Sequence, residues 1–203
     1  MNKKKASWKT LFFLLWLGMT LLFIAGCGQE EKEGAEEPEP DPITYYNPVT
    51  NLPVEEESIR VRPIAVMMNN VKKAMPHAGI SRADICFELP MEGDTNRIMA
   101  VFYDYKDIPQ IGTVRSARDY FVDYARSLDA LYLHYGGSPQ FYTFRQQIQY
   151  DDLDGINREV EKLLYWRDDQ RRKSNGREHS VLTSGEKIVE TIEALGVRDT
   201  LEK

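Results

Sequence analysis

Arg62-Pro63-Ile64-Ala65-Val66-Met67-Met68-Asn69-Asn70 is the stretch that decides the fold class. An unbroken apolar run starts after Pro63 and stops at a pair of asparagines. A run this short, bounded by turn-forming residues, reads as a strand buried on both faces. Three similar runs follow: Ile85-Cys86-Phe87-Glu88-Leu89, Ile98-Met99-Ala100-Val101-Phe102-Tyr103 and Ala130-Leu131-Tyr132-Leu133-His134-Tyr135. Cys86, inside the second run, reads as a small buried hydrophobe.

Helical patterns lie between and after these runs. Ser116 is placed to cap a helix in which Ala117, Phe121, Tyr124 and Leu128 recur at spacings of 4, 3 and 4. Ser138 is placed to cap another, with Pro139 at its first position and Phe141, Phe144 and Ile148 on one face. Thr183-Ser184-Gly185-Glu186 reads as a capping box. It opens a helix with Ile188, Ile192 and Leu195 inward and Gly196 at its end. Tyr165-Trp166 belongs to a strand. The polar segment from Asp168 to Glu178 reads as an exposed loop. No internal repeat is present. Strands alternating with helices predict an α/β fold: a layered sandwich with a mostly buried mixed sheet flanked by helices.

Upstream, Lys3, Lys4, Lys5 and Lys9 precede an apolar run from Leu11 to Phe23. A basic region before a short apolar one is the pattern of a signal peptide. The run falls short of the roughly 20 residues a membrane-spanning helix needs. Ile24-Ala25-Gly26-Cys27 then resembles the bacterial lipobox. The resemblance implies diacylglycerol transfer to the Cys27 sulfur, cleavage after Gly26, and a new amino end open to acylation. Two acyl chains hold a protein stably at a membrane where one does not. Residues 1–26 are thus expected to be a signal peptide and Cys27 the lipid attachment site. Residues 27–44, rich in Glu and punctuated by Pro38, Pro40 and Pro42, are expected to form an acidic disordered tether. Residues 45–203 remain for one domain. The expected location is the extracytoplasmic face of a bacterial cell membrane.

The formal net charge is −6. The signal carries four lysines and no acid, so the mature chain is near −10, and the tether accounts for −6 of that. No basic footprint for nucleic acid exists. Of 2 cysteines, Cys27 is assigned to lipid, which leaves Cys86 alone and no internal disulfide. The three histidines lack metal-ligand spacing, and no cofactor motif is present.

Two turns carry the candidate chemistry. Gly112-Thr113-Val114-Arg115-Ser116 leads into one helix, and Gly136-Gly137-Ser138-Pro139 leads from the fourth run into another. Ligands of open α/β sheets bind at the carboxyl ends of strands. Helix amino ends offer free N–H groups, and glycines allow close approach. Arg115 and Arg118 add planar donors for carboxylate or phosphate, and Arg97 can join them. With Glu92, Ser116, His134, Gly136, Gly137 and Ser138, these residues form a candidate pocket for an anionic cell-envelope ligand. Three other readings compete with it. In the first, Arg115 and Arg118 pair with Glu88, Glu92 or Asp119 and brace the fold, while His134 sits in the core. In the second, the domain binds an envelope protein through exposed aromatics such as Tyr45, Tyr46, Tyr142, Tyr150, Tyr165 and Trp166. In the third, His134, Ser138 and Glu92 form a hydrolase constellation, although no Gly-x-Ser-x-Gly signature supports it.

Several runs occur together and in order: Arg62 to Asn70, Pro76-His77-Ala78-Gly79-Ile80-Ser81-Arg82-Ala83-Asp84-Ile85, Met91-Glu92-Gly93-Asp94-Thr95-Asn96-Arg97, Ile111-Gly112-Thr113-Val114-Arg115-Ser116-Ala117-Arg118 and His134-Tyr135-Gly136-Gly137-Ser138-Pro139-Gln140. This set resembles the YerB-like lipoprotein family of Gram-positive bacteria, whose domain is known as DUF3048. The resemblance runs from about Tyr46 to the end. It implies an α/β domain and an extracytoplasmic location, with no activity attached. It also implies a second, smaller carboxy-terminal domain, so the chain is expected to hold the amino-terminal domain only. Where the family often has a second glycine after Glu92-Gly93, this chain has Asp94, which is expected to alter the tight turn there.

Overall fold

A computed structural model describes residues 43–201. The expected signal peptide, Cys27 and nearly all of the expected tether lie outside the described residues. No helix among the described residues is long and apolar enough to cross a membrane.

The strands β1 (Tyr45–Tyr46) and β2 (Pro53–Val54) form a short antiparallel ribbon. β3 (Ile64–Asn69) is the stretch quoted at the outset, and every residue in it is buried. β4 (Ile85–Met91) and β5 (Thr95–Phe102) make a hairpin across Glu92-Gly93-Asp94. β6 (Ile111–Gly112) precedes α1 (Asp119–Ser127), and β7 (Leu131–His134) runs into α2 (Pro139–Gln147). β8 (Asp152–Asp154), α3 (Arg158–Leu164), β9 (Trp166–Arg167), α4 (Asp169–Asn175), β10 (Val181–Thr183) and α5 (Gly185–Leu195) complete the chain.

The main sheet has the order β4-β5-β3-β7-β8. β4, β5 and β3 run antiparallel to their neighbours, whereas β3, β7 and β8 are parallel, so the sheet is mixed. Alternation of side chains along β3 sends Ile64, Val66 and Met68 to one face and Ala65 and Met67 to the other. The first face packs on Val160 and Leu164 of α3 and on Ile188 and Ile192 of α5. A small antiparallel sheet, β6-β10-β9, closes the same side through Ile111 and Val181. The second face packs on Phe121, Val122 and Ala125 of α1 and Phe141 of α2. The expected layered α/β sandwich, with a buried mixed sheet flanked by helices, is the observed architecture.

The four apolar runs are all strands of this sheet, but β4 is an edge. Its burial alternates, and Cys86 is exposed, which corrects its reading as a buried residue. The run looked continuous because its outward positions alternate among Cys86, Glu88 and Pro90, of which one is charged. Asp94 adopts a left-handed φ of 55° beside Gly93 at 76°. Aspartate tolerates that region, so the hairpin turn closes without the second glycine.

Helix starts shifted where polar side chains had other partners. Ser116 does not cap α1: its hydroxyl donates to the Tyr135 carbonyl (3.2 Å), and the helix begins at Asp119 without a side-chain cap. Its buried face is Phe121, Val122 and Ala125, while Tyr124 is exposed and lies against Phe87. The cap of α5 is Ser184, which accepts from Lys187 N, whereas the Thr183 hydroxyl donates to Leu164 O, so no capping box forms. Ser138 does cap α2, accepting from Phe141 N at 3.1 Å. The segment expected as a loop contains α4, capped by Asp168. No residue of α4 is buried, so no apolar stripe announces it. Arg171 anchors it by donating to the carbonyls of Ala74 (3.1 Å) and Pro76 (2.8 Å).

Candidate functional site: an arginine-lined cavity

Beyond the carboxyl end of β7 the chain passes through Tyr135-Gly136-Gly137 into α2. Gly136 has φ 77°, a conformation that side chains other than glycine rarely take. At Gly137 a Cβ would lie 2.4 Å from the Phe141 ring, so only glycine lets the turn pack onto α2. Asp154, at the end of β8, fixes the turn by accepting from Gly136 N (2.8 Å) and Ile156 N (3.0 Å), while Tyr142 Oη donates to its other oxygen (2.9 Å).

The segment Val114-Arg115-Ser116 lies beside this turn. Arg115 N donates to Met67 O of β3 (2.9 Å), Tyr135 N to Arg115 O (3.0 Å) and Ala117 N to Gly136 O (2.8 Å). Backbone pairing thus brings the two glycine-bearing turns together. Between them opens a cavity of about 340 Å³. Arg115, Ser116, Tyr135, Gly136 and Gly137 line one part of it. Arg167, Arg177 and Glu178 line another, and Val114, Ile156 and Val181 supply apolar surface.

Three guanidinium groups therefore meet one carboxylate. Arg167 lies 5.0 Å above the Tyr135 ring and donates to Arg177 O (2.7 Å). Among the described residues neither Arg167 nor Arg177 pairs with a carboxylate. Arg115 Nη2 is 3.3 Å from Glu178 Oε2, its Nη1 is 3.3 Å from Glu178 O, and its buried Nε has no partner among the described residues. Behind the cavity, Arg97 is buried and donates to Ser116 O at 2.5 Å. Burial, reinforced by Arg118 and Arg115 nearby, pushes its guanidinium down to about 10. This end of the sheet is electropositive, a setting that favours an anion.

Glu178 also connects to the interior. Its Oε1 is 3.4 Å from His179 Nε2, and Asn69 Nδ2 donates to His179 Nδ1 (2.8 Å). Desolvation, aided by Arg115 and Lys73, holds His179 below the usual histidine value against the opposing pull of Glu178. Among the described residues no group of three or more His, Cys, Asp and Glu side chains is placed to hold a metal ion.

A family model described as "Protein of unknown function (DUF3048) N-terminal domain" matches residues 49–198. The chain belongs to the DUF3048 family. "Putative lipoprotein YerB" of Bacillus subtilis (strain 168) is 37% identical over 123 residues, which are 60% of this chain and 36% of that protein. The chain thus spans about a third of this curated relative's length. The crystal structure of YerB protein from Bacillus subtilis aligns with a TM-score of 0.69 at 32% identity, covering 78% of this chain and 52% of that one.

In this DUF3048 domain four of the nine ligand-binding candidates line the cavity and five do not. Arg115, Ser116, Gly136 and Gly137 line the cavity. Arg97 stands behind it, bonded to Ser116 O. Arg118 and Glu92 form a separate fork, with Nε at 3.0 and 3.1 Å and Nη2 at 2.9 Å from the carboxylate, which is the bracing arrangement weighed for this pair. That fork holds the Glu92 carboxyl below its usual range. Ser138 is occupied as a helix cap.

His134 is fully buried, with Nδ1 2.8 Å from Gly136 O and Nε2 3.0 Å from Asp152 Oδ2. His134, Ser138 and Glu92 do not hydrogen-bond to one another; each is engaged elsewhere.

Reading from sequence missed Tyr135, Ile156, Arg167, Arg177, Glu178 and the two valines. Arg167 follows the strand signal at Tyr165-Trp166, and Arg177 and Glu178 lie in a polar segment that reads as an exposed loop. No motif spacing links either place to Arg115.

Proposed function

We propose that this DUF3048 chain is a membrane-anchored extracytoplasmic lipoprotein whose α/β domain binds an anionic cell-envelope ligand. The observation that carries the binding half is the cavity, where Arg115, Arg167 and Arg177 face the single carboxylate of Glu178. The volume suits a small ligand, and apolar walls with a few convergent polar groups are the usual makeup of such sites. Its place at the carboxyl end of a parallel strand is where α/β sheets bind ligands. The anchoring half is supported by the Ile24-Ala25-Gly26-Cys27 motif and by the word "lipoprotein" in the name of the Bacillus subtilis relative. The partners in this reading are the membrane, through lipid on Cys27, and the envelope ligand, with no nucleic acid and no cofactor.

Calorimetry with glycerol phosphate oligomers and with muramyl peptides tests the cavity. Arg115→Ala, with its fold checked by circular dichroism, is expected to remove binding. Affinity equal to the wild type would overturn the assignment. Labelling cells with an alkyne fatty acid tests the anchor: Cys27→Ala is expected to lose the label and leave the membrane fraction.

A second reading, an envelope protein-interaction module, draws on β4. This strand pairs only with β5 among the described residues, and the exposed Tyr124 lies with its ring 4.9 Å from that of Phe87 on the neighbouring surface. Free strand edges accept a partner strand. Membrane co-purification of a protein lost on Glu88→Pro, with ligand binding intact, would favour it.

A further inference from the structure

We infer that Glu178 holds the anion position of the cavity, and that a carboxylate of the ligand replaces it on Arg115. The inference rests on the anion-binding reading above.

Two arginines of the domain provide the comparison. Arg118 presents its Nε and Nη2 edge to Glu92 and fills it, with three contacts of 2.9 to 3.1 Å. Arg115 meets Glu178 only loosely: Nη2 is 3.3 Å from Oε2 and Nη1 is 3.3 Å from the backbone oxygen, while the buried Nε has no partner among the described residues. The second oxygen, Oε1, is 3.4 Å from His179 Nε2. These contacts lie beyond the 2.7–3.2 Å typical of N–H···O bonds. The Glu178 side chain is 62% exposed, so leaving the pair returns the carboxylate to water. Exposed ion pairs of this kind contribute little.

A free carboxylate is not tethered to the neighbouring backbone as Glu178 is. It can close on Nη1 and Nη2 together, a two-bond fork that guanidinium groups make with carboxylates. Arg167 and Arg177 remain to balance the displaced Glu178, and Val114, Ile156 and Val181 offer contact to a small apolar substituent beside the carboxylate. The ligand class is thus a carboxylate with a short alkyl or acyl group, and Glu178 is the residue that sets its affinity from within.

The experiment uses the full chain in detergent, with N-acetyl-D-alanine and glycerol 3-phosphate as probes, in wild type, Glu178→Gln, Arg115→Ala and the double variant. Glu178→Gln is expected to tighten N-acetyl-D-alanine by about fivefold, the scale of an exposed ion pair. Arg115→Ala is expected to abolish that binding in both backgrounds. Arg115-dependent binding that Glu178→Gln does not tighten would overturn the inference and leave the anion site standing. Tightening confined to glycerol 3-phosphate would overturn the carboxylate assignment. No binding of either probe to wild type or Glu178→Gln would overturn both the inference and the reading beneath it.

Discussion

His134 Nδ1 lies 2.8 Å from the carbonyl oxygen of Gly136, two residues further along the chain. A carbonyl only accepts, so Nδ1 carries a proton. The opposite nitrogen faces the Asp152 carboxylate at 3.0 Å. The ring acts as a strut between β8 and the glycine turn of the cavity. His134→Ala leaves Asp152 and Gly136 O without this partner. The expected loss is about 3–5 kcal/mol of stability, the scale for breaking a buried pair. Urea unfolding checks it, and a loss near zero would mean the strut carries nothing.

Asp152 gives the domain an acid limit. Burial opposes its charge, but the bonds from His134 and from Arg145 Nε (2.6 Å) prevail and hold the carboxyl below its ordinary 3.8. A carboxyl depressed in the folded state stabilises the fold at pH above its unfolded value. That contribution fades as pH falls through the depressed folded value. Thermal unfolding is therefore expected to drop more steeply below pH 4 in the wild type than in Asp152→Asn, which starts lower at neutral pH. Parallel curves for the two proteins would count against this role.

Gly137 separates packing from ligand contact. A methyl placed there would lie 2.4 Å from the Phe141 ring, itself fully buried. Gly137→Ala is expected to cost about 1–3 kcal/mol through overpacking. Phe141→Leu in the same chain is expected to recover part of the loss by removing the ring. Denaturation midpoints of the two single variants and the double variant measure it.

Arg62 is the most enclosed charge of the opposite end, 2% exposed. It donates to Asp151 Oδ2 (2.7 Å), to Asp129 O (2.9 Å) and to Arg198 O (3.3 Å). Arg62→Ala removes the stem packing together with the charge, and about 3–5 kcal/mol of destabilisation is expected. Arg62→Met, which keeps the stem, is expected to lose less. Equal losses would show that the aliphatic stem contributes nothing to the difference.

The sheet was legible because its inner strands are apolar on both faces. Ile64 to Met68 and Ile98 to Tyr103 are unbroken apolar runs, and burial on both sides follows directly. Cys86 misled because an edge strand with one charge in it looks like a central one. α4 could not be found by periodicity, since it buries nothing and depends on Arg171 reaching two distant carbonyls. In the cavity, the half that rests on local chemistry was readable: glycines before a capped helix, and an arginine after a turn. The other half, Arg167, Arg177 and Glu178, comes from pairing of β10 with both β6 and β9, which no local signal reveals. Arg118 and Glu92 fit both a ligand contact and a brace by residue type, and their hydrogen bonds are those of the brace.

The cavity wall is closed where Val114 N donates to Val181 O at 2.8 Å. These positions are far apart along the chain, and the parallel pairing of β3 with β7 also joins distant segments. Such non-local contacts pay their loop-closure entropy before they return any stability, and they form slowly. The pocket should therefore be among the last parts of the domain to assemble. A nascent chain emerging as far as α3 would contain all five strands of the main sheet and Arg115, yet would lack Arg167, Arg177 and Glu178.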